Sequence, residues 1–71
     1  MGRVCWWWNG KWGRLARRDV EIHYTPESWS VIARLGGAEG KAHQYPAASK
    51  QDAEQTAARF MKTQERWRQM D

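Results

Sequence analysis

At 71 residues, with 28% charged and 41% hydrophobic residues, the chain makes one domain near the size at which apolar burial barely exceeds chain entropy. A lone cysteine excludes an intramolecular disulfide, and no run approaches the roughly 20 apolar residues that span a bilayer. With no signal-peptide pattern at the start either, a cytoplasmic protein without a membrane partner is expected.

Val4 to Leu15 reads as a β-hairpin. Asn9-Gly10 is the favoured two-residue type I′ turn, and it would set Trp7 opposite Trp12. Trp7, Trp12 and Cys5 would then share one face with Arg14, and Trp6 and Trp8 the other. Six tryptophans in so short a chain substitute first for a larger core, so the Trp7–Trp12 face is expected inside. Trp6 and Trp8 are left to cover the helix, meet a partner or stack on bases.

Val20, Ile22 and Tyr24 alternate with Glu21 and His23, and Trp29, Val31 and Ala33 alternate with Ser30, Ile32 and Arg34. A tight turn at Pro26-Glu27 pairs Tyr24 with Trp29, Ile22 with Val31 and Val20 with Ala33, and sets Asp19 opposite Arg34. A Gly-rich loop leads to a third strand of this meander, Lys41 to Tyr45, whose register and whose placement of His43 the pattern leaves open.

Ser49 to Met70 reads as an amphipathic helix. Ser49 with Asp52 forms a capping-box-like start, Pro46 bars an earlier one, and acids precede cations as the helix dipole favours. Ala53, Ala57, Phe60 and Trp67 form its apolar stripe. A helix of this length, about 30 Å, overhangs a strand of about 17–20 Å, so Trp67 needs further cover. The predicted fold is α+β: an N-terminal Trp-rich β-hairpin and a three-stranded antiparallel meander packed against one C-terminal α-helix. Residues 1–71 form one domain, with the basic hairpin at 1–18, the meander at 19–45 and the helix at 49–70.

The net charge of +4 is unevenly placed. Residues 1–18 hold five cations and no acid, while the other 53 hold seven cations against eight acids. The positive excess therefore lies with four of the six tryptophans, the place to look for a bound polyanion. Lys11, Arg14, Arg17, Arg18 and Lys50 are candidate phosphate contacts, and Trp6, Trp8 and Trp67 candidate stacking or partner-binding residues. His23, His43 and Cys5 match no zinc spacing, so no metal is expected. No carboxylate pair, activated nucleophile or phosphate loop stands out, so neither catalysis nor a cofactor is expected.

Ser49-Lys50 followed by Ala53-Glu54-Gln55 and Ala57-Ala58 resembles the last helix of double-stranded-RNA-binding domains, and Trp29 to Gly37 resembles that family's second strand and Gly-Gly turn. The resemblance covers about residues 19–61. It implies a βββα half-domain whose Ser49 and Lys50 meet phosphates across the major groove. Gln51 stands where the family has a further basic residue, and the family's first helix has no counterpart. The meander-plus-helix order is also similar to the three-stranded DNA-binding domains of phage-type integrases, which would make Arg34 and Lys41 readers on the open sheet face. The leading expectation is a non-enzymatic module binding RNA or DNA through backbone and shape. The alternative is a small protein-interaction factor, such as an inhibitor or adaptor from a phage or mobile element, binding a partner or a second copy through exposed Trp and Arg.

Overall fold

The computed structural model describes residues 2–13, 15–37 and 40–70. In chain order these form strands β1 (Gly2–Trp8), β2 (Arg18–Thr25), β3 (Ser28–Leu35) and β4 (Lys41–Ala47), helix α1 (Lys50–Phe60) and a short β5 (Arg68–Gln69). The strands make one antiparallel sheet in the order β4-β3-β2-β1-β5, with α1 across one face. The class is α+β, as the sequence indicates.

Alternating apolar residues set the central pair in the expected register, with Val20 opposite Ala33, Ile22 opposite Val31 and Tyr24 opposite Trp29. Val20, Ile22 and Val31 are buried together with Ala53 and Ala57 of the helix. Each buried Ile or Val contributes about 1.5–3 kcal/mol, and the two alanines let α1 lie close over β2, β3 and β4. β4 pairs Tyr45 with Val31 and His43 with Ala33, which puts both on the helix side of the sheet. The Tyr45 ring meets Phe60 at 5.0 Å and ties this edge to the helix. Pro46 is carried within β4 because an edge strand tolerates a missing N–H.

The N-terminal hairpin is not formed. β1 pairs with β2 instead, setting Trp6 opposite Glu21, Trp7 opposite Val20 and Trp8 opposite Asp19, with an irregularity between Arg3 and Cys5. Among the described residues only glycines take positive φ, so Asn9-Gly10 is not a type I′ turn. The Asn9 side chain explains the difference. Its Nδ2 donates to the Ala16 carbonyl (2.8 Å) and to Glu65 Oε2 (3.0 Å), and its Oδ1 accepts from the Arg18 N–H (3.0 Å) and the Lys11 N–H (3.3 Å). A wide loop is thereby cross-tied from inside. Pairing β1 with the apolar β2 also packs Cys5 and Trp7 against the core, which a free-standing hairpin could not do. Trp7 lies where it was expected, but Trp12 is not its partner and is 74% exposed. Arg14 lies outside the described residues.

The helix starts as expected and stops early. The Asp52 N–H donates to Ser49 Oγ (3.1 Å) and the Asp52 carboxylate accepts from the Ala48 N–H (2.9 Å). At the other end Thr63 Oγ1 accepts from the Glu65 N–H, offering that amide an alternative to a helical bond, and from Trp67 Nε1, which fixes the indole. The overhang is removed by unwinding: Trp67 packs against the core cluster, and Arg68 and Gln69 pair with Trp8 and Trp7. Tertiary burial overrides a sequence of good helix formers.

Candidate functional site

Cross-strand pairing gives the sheet face away from α1 two rows, Trp6–Glu21–Ile32–Gln44 and Trp8–Asp19–Arg34–Ala42, with Arg68 opposite Trp8 at the outer edge. No helix covers this face, yet Asp19 and Glu21 are only 3% and 5% exposed. A buried carboxylate must be paired to be tolerated, and both are. Asp19 accepts from Trp6 Nε1 (2.7 Å), Arg17 Nε (2.9 Å) and the second Arg17 nitrogen (3.2 Å). Glu21 accepts from Arg34 Nε (2.8 Å), and its other oxygen lies 2.7 Å from His23 Nε2. Burial pushes the Glu21 carboxyl up, but the bonds to His23 and Arg34 together outweigh it and hold the group below its ordinary value. The bond to Asp19 likewise outweighs desolvation at Arg17 and pushes that guanidinium further up.

These sunken acids fix cations against indoles. The Arg17 guanidinium carbon lies 5.3 Å from the Trp8 ring centre and 5.5 Å from that of Trp12, and Trp12 meets Trp8 edge-on at 4.7 Å. Arg3 lies 4.2 Å over Trp6. Such contacts are worth about 0.5–1 kcal/mol each where solvent reaches them. The result is a layer of guanidinium and indole groups in place of a second helix.

The residues singled out from sequence divide between the two faces. Trp6, Arg17 and Arg34 belong to this layer. Trp8 is its floor, 8% exposed with its Nε1 donating to the Lys11 carbonyl, and offers no ring face for stacking. Lys11 sits in the following loop, 3.4 Å from Glu65. Arg18 and Lys41 both pair with Leu35, on the helix side, so Lys41 and Arg34 do not share a face. Lys50 is exposed at the start of α1. Trp67 and Arg18 line a cleft of about 170 Å³ with Val20 and Phe60, under the end of the helix. Sequence reasoning missed Arg3, Arg68 and Trp12. All three depend on the β1 register, which the Asn-Gly signal obscured.

Fold and face together define a class in coarse terms: a small α+β domain whose five-stranded sheet is covered by a helix on one side and by arginine and tryptophan on the other. Compared with known protein families, with curated proteins and with solved structures, the chain has no significant match. Among the described residues no helix is long and apolar enough to cross a membrane, and no cluster of three or more His, Cys, Asp or Glu could hold a metal ion.

Proposed function

We propose that this chain is a non-enzymatic nucleic-acid-binding domain that engages its ligand with the helix-free face of its sheet, in the cytoplasm. The guanidinium–indole layer carries this reading. Arg17 and Arg34 pair the two sunken carboxylates and Arg3 lies over Trp6, so above Asp19 and Glu21 a ligand meets guanidinium and indole groups. Arg68, exposed at the outer edge, adds a further cation. Arg17 and Arg34 act mainly as positioning residues, since Asp19 and Glu21 already neutralise them. Arg3 and Arg68 neutralise phosphate. Lys50, which the double-stranded-RNA-binding resemblance makes a phosphate contact, stands on the helix layer and serves a separate surface.

Titration of fluorescently labelled RNA and DNA at two salt concentrations tests this. Binding weakens as salt rises, and Arg3→Ala and Arg68→Ala each flatten the log K versus log salt slope by about 1. Affinity unmoved by salt refutes the proposal. A second reading has one observation behind it: Leu15 is 94% exposed and lines a groove with Leu35 and Lys41. A protein partner or second copy would cover that groove, and a mass that rises with concentration in size-exclusion runs would support it.

A further inference from the structure

From the placement of Trp12 we infer that the ligand is single-stranded rather than duplex nucleic acid, with Trp12 as its base-stacking platform; this rests on the function proposed above. Trp12 is the most exposed of the large aromatic rings described, in a domain that otherwise spends its indoles on burial. It is nonetheless held. One side meets the edge contact with Trp8 and the guanidinium of Arg17, which Asp19 locks by two hydrogen bonds. Its neighbour Lys11 is tied to Glu65 and, through its N–H, to Asn9. The Gly13 carbonyl closes the far side of the loop by accepting from the Ala16 and Arg17 N–H groups. An indole supported from below and open above is pre-organised to receive another flat ring.

Duplex bases are already stacked on one another, so an indole standing on a loop reaches an unpaired base without the unstacking cost that a duplex step would impose. Cation geometry points the same way. Two of the arginines on this face are neutralised by buried acids, which leaves too few free charges to follow both backbones of a duplex. Stacking, rather than dense phosphate neutralisation, is what this surface is built to supply. Arg3 over Trp6 offers a second flat, cationic surface on the same face.

The test uses the full chain, with Trp12→Ala and Trp12→Phe, against labelled oligothymidylate, oligouridylate, an abasic strand and a duplex of equal length. The wild type should prefer the two base-bearing single strands. Trp12→Ala should lose roughly 5- to 150-fold in affinity for them, the worth of one base stack, and Trp12→Phe should recover part of it. Binding of the abasic strand and the urea midpoint should hardly move, because Trp12 is mostly in solvent. Equal affinity for duplex and single strand, or single-strand binding untouched by Trp12→Ala, overturns the inference while leaving nucleic-acid binding in place. Absence of salt-sensitive binding to every probe overturns both. A concentration-dependent dimer abolished by Trp12→Ala would make Trp12 a protein anchor and would also overturn it.

Discussion

Asn9→Asp changes one atom's chemistry at the point where the N-terminal loop and the C-terminal segment meet, and its effect can be worked out from the contacts. In the wild type the amide donates twice and accepts twice, and the residue is 1% exposed. The replacement keeps the acceptor for the Lys11 and Arg18 N–H groups. It turns the donor into an oxygen facing the Ala16 carbonyl and the Glu65 carboxylate, at sites where 2.8 and 3.0 Å bonds stood. Two bonds are lost at about 1 kcal/mol each, and carboxylate–carboxylate repulsion at the partly exposed Glu65 adds about 1–2 kcal/mol, or roughly 3–4 kcal/mol in all. That is most of the stability expected of so small a domain. Repulsion raises the folded-state pKa of the new carboxyl above its unfolded value, so its cost is present at neutral pH and relieved as pH falls. Asn9→Ala loses all four ties, the two acceptor bonds included, but brings no charge and should show no such relief. Urea denaturation followed by Trp fluorescence, at neutral pH and near pH 4.5, separates the two variants. An Asn9→Asp midpoint within about 0.5 kcal/mol of wild type would refute the central role of this side chain.

Ala57 is fully buried against the sheet, so Ala57→Leu should destabilise by about 1–3 kcal/mol despite Leu's good helix propensity, a shift visible in the thermal midpoint. Glu21 has its folded pKa lowered below the unfolded value, so its contribution is full above about pH 4.5 and is lost as pH falls through the folded value. Glu21→Gln should cost about 1–3 kcal/mol at neutral pH and show a shallower loss of stability as pH falls below the ordinary carboxylate range, measured by acid titration of the urea midpoint. Trp8→Ala removes the floor under Trp12 and Arg17 and should cost about 3–5 kcal/mol by denaturant melt.

The central meander was legible because its two apolar sets agree with a short turn in one register, so pattern and pairing have a single solution. Ser49 was legible as a cap because capping is local chemistry. The hairpin at 4–15 failed for a specific reason. Asn-Gly favours a tight turn when nothing else engages the amide, and here four partners do, two of them at residues 16 and 65. The helix end failed because Lys62 to Arg66 carries no Gly or Pro, and it is the Thr63 hydroxyl together with the seating of Trp67 and the pairing of Arg68 that ends the helix. For the candidate site, charge asymmetry made the arginine- and tryptophan-rich segment legible but not which indole is covered: Trp8 is buried and Trp12 exposed, the reverse of the expectation. Which indole is covered depends on β1 facing Glu21 and Asp19, acids that look unremarkable in a β-strand until their arginine and tryptophan partners are known.

The outermost strand also bears on the order in which the molecule assembles. Arg68 and Trp8 are about 60 residues apart along the chain, and bringing them together in an unstructured coil would cost about 2–3 kcal/mol more than closing the β2–β3 turn. Once the four long strands and the helix are in place, only the few residues after Phe60 remain to be positioned, and the same contact becomes inexpensive. Loop-closure entropy therefore predicts that β5 docks after the transition state, so weakening it should speed unfolding and leave the refolding rate nearly unchanged. In the native protein it is the margin that opens first, and the Met70 amide bonded to the Trp6 carbonyl should exchange with solvent well before those of β2 and β3.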